Sequence, residues 1–121
     1  MAEIRLQRVY GSDAGHPGMR VLVDRVWPRG VKKEDLRLDH WFRELGPSDQ
    51  LRKWFGHRPE RWPEFQRRYR EELSDPARRP LLDQLVELAR RGPLVLLFGA
   101  ADEERNQAVV LRSVLEERLR S

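Results

Sequence analysis

The sequence contains no cysteine and no threonine, and it has a single isoleucine. Without cysteine the chain can form neither a disulfide scaffold nor a thiolate zinc site, and it has no cysteine nucleophile. No apolar run approaches the ~20 residues that span a bilayer, and the first ten residues, MAEIRLQRVY, lack the apolar region of a signal peptide. We therefore expect a cytoplasmic protein with no membrane partner.

The chain of 121 residues carries 24 basic and 20 acidic side chains, and 21 of the basic residues are arginine. Arginine stays protonated and forms paired hydrogen bonds with carboxylates and phosphates. The arginine-rich composition is typical of an anion-binding protein, although genome composition or a hot habitat gives the same bias. Leu, Val, Ile and Phe make up roughly a quarter of the chain, above the roughly one-fifth at which chains stop folding.

Hydrophobic spacing predicts strands and helices in an order typical of an α/β protein. Residues 94–98 are apolar without alternation, which is typical of a strand buried on both faces. We predict one compact α/β domain over residues 1–121, with a small, mainly parallel sheet flanked by helices. The direction of the first strand stays open, because the loop 11–18 also fits a hairpin. The predicted strands are 3–10, 19–26 and 94–98, and the predicted helices are 39–45, 48–56, 59–73, 80–91 and one that begins at Asp102.

Residues 24–30, with the sequence DRVWPRG, follow an apolar strand at the edge where α/β proteins bind ligands. Arg25 and Arg29 are candidates to hold phosphate or carboxylate oxygens, and Trp27 is a candidate wall of the same pocket. Asp24 would orient the arginines. In the alternative interpretation, Arg25 pairs with an acid of the last helix, Trp27 belongs to the core and Arg29 is solvated.

The segment 100–107, with the sequence AADEERNQ, follows the buried strand 94–98. Asp102 is predicted to open the last helix, so that acids occupy its first turn and would repel a phosphate. Asp102 is then a helix cap, a partner of the two arginines or a general base. Arg105 and Asn106 would lie one turn further on and could face the pocket.

A third segment, 52–79, combines basic residues with aromatic ones, as surfaces that bind single-stranded nucleic acid do. The helical spacing of Trp54 and Trp62 with later aromatics fits core packing as well. Lys53 and His57 are expected near the rim of the pocket, and His57 is the candidate acid–base histidine. The three histidines are scattered along the sequence, so we predict no metal site.

Three separated segments resemble the YeaO-like family of small bacterial proteins, which contain domain of unknown function 488. The segments are VLVDRVWPRG at 21–30, LRKWFGH with PERW over 51–62, and DEERNQAVVL at 102–111. The resemblance extends from residue 4 to about residue 115 and implies a compact α/β domain with no assigned activity. Arg58 stands where members often have an acid, and Arg105 stands where a histidine is common, which removes one candidate proton carrier.

Two functional hypotheses follow, and neither specifies a cofactor. The first is a site for a small anion, such as a nucleotide or a phosphate ester, with or without catalysis. The second is a nucleic-acid-binding module built on residues 52–79, whose affinity would fall steeply with salt. A protein–protein adaptor is a further alternative. The candidate ligand-binding residues are Arg25, Trp27, Arg29, Lys53, Arg105 and Asn106, and the candidate catalytic residues are Asp24, His57 and Asp102.

Overall fold

The computed structural model describes residues 2–10 and 17–121 of the chain. Its sheet is built from four parallel strands, in which the first and the second along the chain lie on either side of the last. The predicted α/β architecture with a parallel sheet is confirmed. In the spatial order β1-β4-β2-β3, the strands are β1 (Ile4–Arg8), β4 (Leu94–Phe98), β2 (Met19–Leu22) and β3 (His40–Trp41).

Helices cover the sheet and supply most of the core. The predicted helices over 48–56, 59–73 and 80–91 are present, and the one predicted over 59–73 begins with a 3-10 turn at Pro59–Arg61. Most of the predicted loop 11–18, including His16, lies outside the described residues. The α-helices are α1 (Lys33–Leu36), α2 (Asp49–Phe55), α3 (Trp62–Leu73), α4 (Arg79–Arg91) and α5 (Gln107–Arg120).

Strand β4 is buried along its whole length, as the absence of alternation predicted. Leu94, Leu96 and Phe98 belong to the large core that α2–α5 form over one face of the sheet. Val95 and Leu97 point to the other face, where a smaller cluster includes both Trp27 and Trp41. Because both faces of β4 are covered, every position of this strand is apolar.

The prediction of a helix over 39–45 is wrong. The Asp39 carboxylate, which we expected to cap that helix, accepts the backbone N–H of Arg20 at 2.8 Å instead. The backbone N–H of Asp39 also donates to the carbonyl of Arg20 at 2.9 Å. These bonds hold the segment against the edge of β2, so that residues 40–41 form β3 and residues 43–45 form one 3-10 turn.

The prediction that Asp102 opens the last helix is also wrong. Asp102 Oδ1 accepts the backbone N–H groups of Glu104 and Arg105 and so closes a separate turn. The helix α5 begins five residues later at Gln107, and the Asn106 side chain caps it by accepting from the backbone N–H groups of Ala108 and Val109. The first turn of α5 therefore contains no acid.

Glu72 joins the N-terminus of α2 to the end of α3. Its carboxylate accepts the backbone N–H of Ser48 at 2.8 Å and the Ser48 hydroxyl at 2.6 Å. We expect Glu72→Ala to lower the free energy of unfolding by about 2 kcal/mol, because two half-buried donors lose a charged acceptor. The matched control is Glu71→Ala, which removes only an exposed ion pair with Arg67 and should cost less than about 1 kcal/mol. Equal costs in urea unfolding would contradict this role for Glu72.

Candidate functional site

A cavity of about 590 Å³ lies beyond the carboxyl ends of β2 and β4. Three segments form its walls, namely residues 24–29 after β2, residues 99–107 after β4, and residues 52–57 at the end of α2. Ligands of open α/β sheets bind at this edge, because the loops that leave adjacent parallel strands converge there. The cavity therefore lies where the sequence predicted a site.

Among the residues that the structure describes, carbonyl groups and not an acid fix Arg25 in the wall of the cavity. Its Nε donates to the Pro47 carbonyl at 2.8 Å and its Nη2 donates to the Gly46 carbonyl at 2.9 Å. Gly46 approaches so closely that a Cβ there would lie 2.6 Å from the Arg25 backbone nitrogen. Carbonyl partners satisfy the guanidinium donors without neutralising the charge, so Arg25 keeps its positive charge at the cavity.

Trp27 combines the two roles that the sequence left open. Its indole is half-buried, contacts Trp41 edge-on with ring centroids 5.3 Å apart, and donates to the Val31 carbonyl at 2.7 Å. The same side chain lines the cavity. Trp27 thus belongs to the smaller core cluster and also forms part of the cavity wall.

Asp24 is a carboxylate held at the base of the cavity. One oxygen accepts the Gly99 backbone N–H at 2.9 Å, and the other accepts the side-chain amide of Gln107. A Cβ at residue 99 would lie 2.8 Å from this carboxylate, so the close approach requires glycine. Burial raises the pKa of Asp24 from 3.8 to about 6, although both hydrogen bonds and the positive charge of Arg52 oppose the shift.

Arg29 and Lys53 supply exposed positive charge to the cavity wall, Arg29 from the segment after β2 and Lys53 from α2. Neither side chain makes a hydrogen bond or an ion pair with any residue that the structure describes. His57 also lines the cavity, where it follows the C-cap Gly56 and has a left-handed φ of 58°. Its ring lies 6.3 Å from that of Phe55.

The loop after β4 contributes Arg105 and Asn106 to the cavity, but not Asp102. Arg105 forms an ion pair with Asp102 at 3.1 Å, so its charge is partly neutralised. Asn106 is 1% exposed, and its amide nitrogen donates to the Asp102 carbonyl at 2.9 Å while its oxygen caps α5. The hydrogen-bonding groups of Asn106 are thus engaged within this loop.

The sequence pattern of one protein family, described as the inactive DUF488-N3 subclade, matches residues 3–121. The chain belongs to this family, DUF488-N3i. It is 40% identical over 115 residues to the uncharacterised protein Rv3073c of Mycobacterium tuberculosis, and the alignment covers 95% of each chain. It is also 40% identical over 108 residues to the uncharacterised protein YeaO of Escherichia coli, covering 89% of this chain and 92% of YeaO. No solved structure matches the chain significantly.

The basic and aromatic stretch 52–79 of this DUF488-N3i protein is largely engaged within the fold. Arg61 and Arg68 lie over the ring of Trp54, with their guanidinium carbons 4.9 Å and 4.4 Å from its centroid. Arg68 also pairs with Glu64 at 2.9 Å. Phe65 and Tyr69 are buried. Arg61 and Arg68 of this region therefore face an aromatic ring or an acid of the chain itself.

Several residues that line the cavity were not among those predicted from the sequence. These residues include Arg52 and Phe55 of α2 and Phe65 of α3. The helical spacing of Phe65 had indicated a core position. Gln107 was not predicted as a cavity residue, because a last helix that begins at Asp102 would place Gln107 in its second turn. Its position beside Asn106, a residue type that favours N-caps, was the available signal.

The described part of the chain contains no group of three or more His, Asp or Glu side chains that could hold a metal ion. Its helices are likewise too short or too polar to cross a membrane. The lining of the cavity places guanidinium, ammonium and imidazole groups around one half-buried carboxylate, that of Asp24. Such a set of groups can bind and orient an anion and can hold a proton at Asp24.

Proposed function

We propose that this protein binds a small organic anion, such as a phosphate ester or a nucleotide, in the cavity beyond β2 and β4. The observation that carries the proposal is the charge of the cavity wall. Among the residues that the structure describes, one acid, Asp24, and five bases line the cavity. The five bases are Arg25, Arg29, Arg52, Lys53 and Arg105.

Three of these bases lack an acidic partner among the described residues, which supports a bound anion as the group that balances their charge. Arg25 is bound only to carbonyl oxygens, and Arg29 and Lys53 have no side-chain partner within residues 2–10 and 17–121. The cavity wall therefore carries three positive charges, those of Arg25, Arg29 and Lys53, that form no ion pair with a residue the structure describes. Guanidinium and ammonium groups in this arrangement form strong, charge-assisted hydrogen bonds with phosphate or carboxylate oxygens.

The shape of the site favours a small molecule over a nucleic-acid strand. A concave cavity of about 590 Å³ falls within the range of small-molecule sites, roughly 300–1,000 Å³. A strand needs a groove with free aromatic faces and free bases. In the stretch 52–79, two arginines already cover the Trp54 ring, and Arg67, Arg68 and Arg70 form ion pairs.

The description of the family as an inactive subclade supports binding without turnover. Of the three candidate catalytic residues, Asp24 and His57 line the cavity, whereas Asp102 closes a turn outside it. In the proposed function, Arg29 and Lys53 hold the anion, Arg25 fixes the wall and adds charge, and Trp27 limits the cavity on one side. Asp24 and His57 then act as polar contacts to the ligand.

We expect the double variant Arg29→Ala/Lys53→Ala to bind ribose 5-phosphate about tenfold or more weakly than the wild type at low ionic strength. Two charge-assisted contacts are lost, while neither side chain takes part in the fold. Titration calorimetry measures the change in Kd. The matched control is Arg79→Ala/Arg90→Ala, which removes two exposed charges on α4, outside the cavity, and should stay within about twofold of the wild type.

Equal weakening by the two double variants would show that only net charge matters and would contradict a defined site. Absence of binding by ribose 5-phosphate, nucleoside monophosphates and inorganic phosphate at low salt would also contradict the proposal. A single-stranded oligonucleotide in the same titration tests the alternative function. Tight binding with a steep dependence on salt would favour the nucleic-acid module.

A further inference from the structure

One feature of the cavity does not suit a simple anion. Asp24 places a carboxylate among the bases, where it repels phosphate, and it is the one acid among the described residues of the cavity wall. Its hydrogen bonds reach Gly99 and Gln107, and neither partner carries a positive charge. A site for inorganic phosphate alone would bind more tightly without this carboxylate.

The carboxylate retains capacity to accept further hydrogen bonds from a ligand. Each of its oxygens accepts one bond from the protein, from Gly99 or from Gln107, and a carboxylate oxygen has two lone pairs. Because Nε2 of Gln107 donates to Asp24, the amide oxygen of Gln107 is a second acceptor on a residue that lines the cavity. Two neighbouring acceptors therefore stand at the base of a cavity whose rim is cationic.

Aromatic groups line the cavity together with Asp24 and Gln107, and the rings of Trp27 and Tyr10 among them are half-buried. Phe55, Phe65 and Pro28 also line the cavity, but they are almost fully buried. Aromatic and proline faces bind planar heterocycles, while a few placed polar groups fix their orientation. The cavity thus has an acceptor-bearing base, apolar walls and a cationic rim.

We propose that the anion bound by this protein carries a planar ring with N–H donors, and that Asp24 and Gln107 accept hydrogen bonds from those donors. A nucleotide whose base presents adjacent N–H groups, as guanine does, has this chemistry. The inference rests on the proposed function, because the cationic rim must hold the phosphate for the ring to reach Asp24. In this inference, the anion site selects phosphate compounds that carry such a ring.

The charged and titratable groups around Asp24 set how binding responds to pH. Burial raises the pKa of Asp24 to about 6, and the positive charge of Arg52 on α2 opposes part of this rise. Tyr69 on α3 also interacts with Asp24, and burial keeps the Tyr69 hydroxyl protonated by raising its pKa. Gly99 and Gln107 face Asp24 from the loop after β4 and from α5, and both are uncharged.

The decisive experiment compares guanosine 5′-monophosphate with ribose 5-phosphate near pH 5 and near pH 7.5. Both ligands carry the same phosphate, so the ratio of their affinities cancels the titration of the phosphate and of the rim. An ionised Asp24 accepts from guanine but repels the bare sugar phosphate. We expect the preference for the nucleotide to rise about tenfold between the two pH values.

The variant Asp24→Asn tests the contact between the Asp24 carboxylate and the N–H donors of the ring by changing the protein instead of the ligand. Near pH 7.5 this variant should bind the nucleotide about tenfold more weakly and ribose 5-phosphate as well as the wild type or better. Asp83→Asn is the matched control, since it removes an exposed acid on α4 outside the cavity lining and should leave the preference unchanged. Gln107→Ala, which leaves the Asp24 carboxylate in place, should also reduce the preference for the nucleotide.

The outcomes separate this inference from the proposed function. If both ligands bind with equal affinity, and neither pH nor Asp24→Asn changes their ratio, the anion site stands and the N–H contact is overturned. If neither ligand binds at low salt, the anion site fails and the inference fails with it. A preference for the nucleotide that survives both Asp24→Asn and Gln107→Ala places the ring elsewhere and also overturns the assignment.

Discussion

Replacing Phe65 by alanine is expected to lower the free energy of unfolding by about 3–5 kcal/mol. The ring is 2% exposed and occupies the middle of an aromatic cluster between α2 and α3. Its centroid lies 4.4 Å from that of Phe55 and 5.7 Å from those of Trp62 and Tyr69. Alanine leaves a void among rigid rings, which cannot close around it as flexible aliphatic chains can.

Phe65→Leu is the matched control, because leucine keeps most of the apolar volume and should cost less than alanine by at least about 1.5 kcal/mol. Urea unfolding monitored by tryptophan fluorescence measures both variants. Phe65 also lines the cavity and packs against the helix that carries Lys53, so Phe65→Ala should weaken anion binding as well. A loss below about 1 kcal/mol for alanine would show that the cluster can close around the void.

The helices α2, α3 and α4 could be predicted because their apolar residues recur at helical spacing, and α2 also carries a start and a stop signal. Ser48 caps α2 and Gly56 ends it with a left-handed φ of 50°. The strand β3 could not be predicted, because two residues show no periodicity. The start of α5 was misplaced since Asp102 and Asn106 both accept backbone N–H groups, and sequence alone does not distinguish a capped turn from a capped helix.

The position of the site followed from one rule of topology, that the loops after neighbouring parallel strands meet at one edge. This rule brought Asp24, Arg29 and Arg105 together, because β2 and β4 are adjacent. The position of the wall formed by α2 and α3 depends on long-range contacts, which cannot be predicted from the spacing of residues in the sequence. The hydrogen bonds from Arg25 to the carbonyls of residues 46 and 47 are such contacts, since they fix the loop that leads into α2.

The wild type is expected to lose about 3 kcal/mol of its free energy of unfolding as Asp24 ionises with rising pH, and Asp24→Asn is expected to abolish this loss. Burial raises the pKa of Asp24 from 3.8 to about 6 in the folded protein, because the bonds from Gly99 and Gln107 offset only part of the lost hydration. Between these two values the native state holds a proton that the unfolded chain has released. The stability therefore falls as the pH rises from about 4 to about 6, and it stays lower above that range.

Urea unfolding of wild type and Asp24→Asn from about pH 3.5 to about pH 7.5 measures this effect, because all other groups titrate in both proteins. The free energy of unfolding of the variant should gain about 3 kcal/mol relative to the wild type over that range. Asp102→Asn provides a control of opposite sign, since hydrogen bonds from Glu104 and Arg105 lower the pKa of Asp102. Parallel pH profiles for wild type and Asp24→Asn would show that water already solvates the Asp24 carboxylate well. A carboxylate of that kind would gain little from an N–H donor on a ligand, so the same result would weaken the case for a nucleotide ring at the base of the cavity.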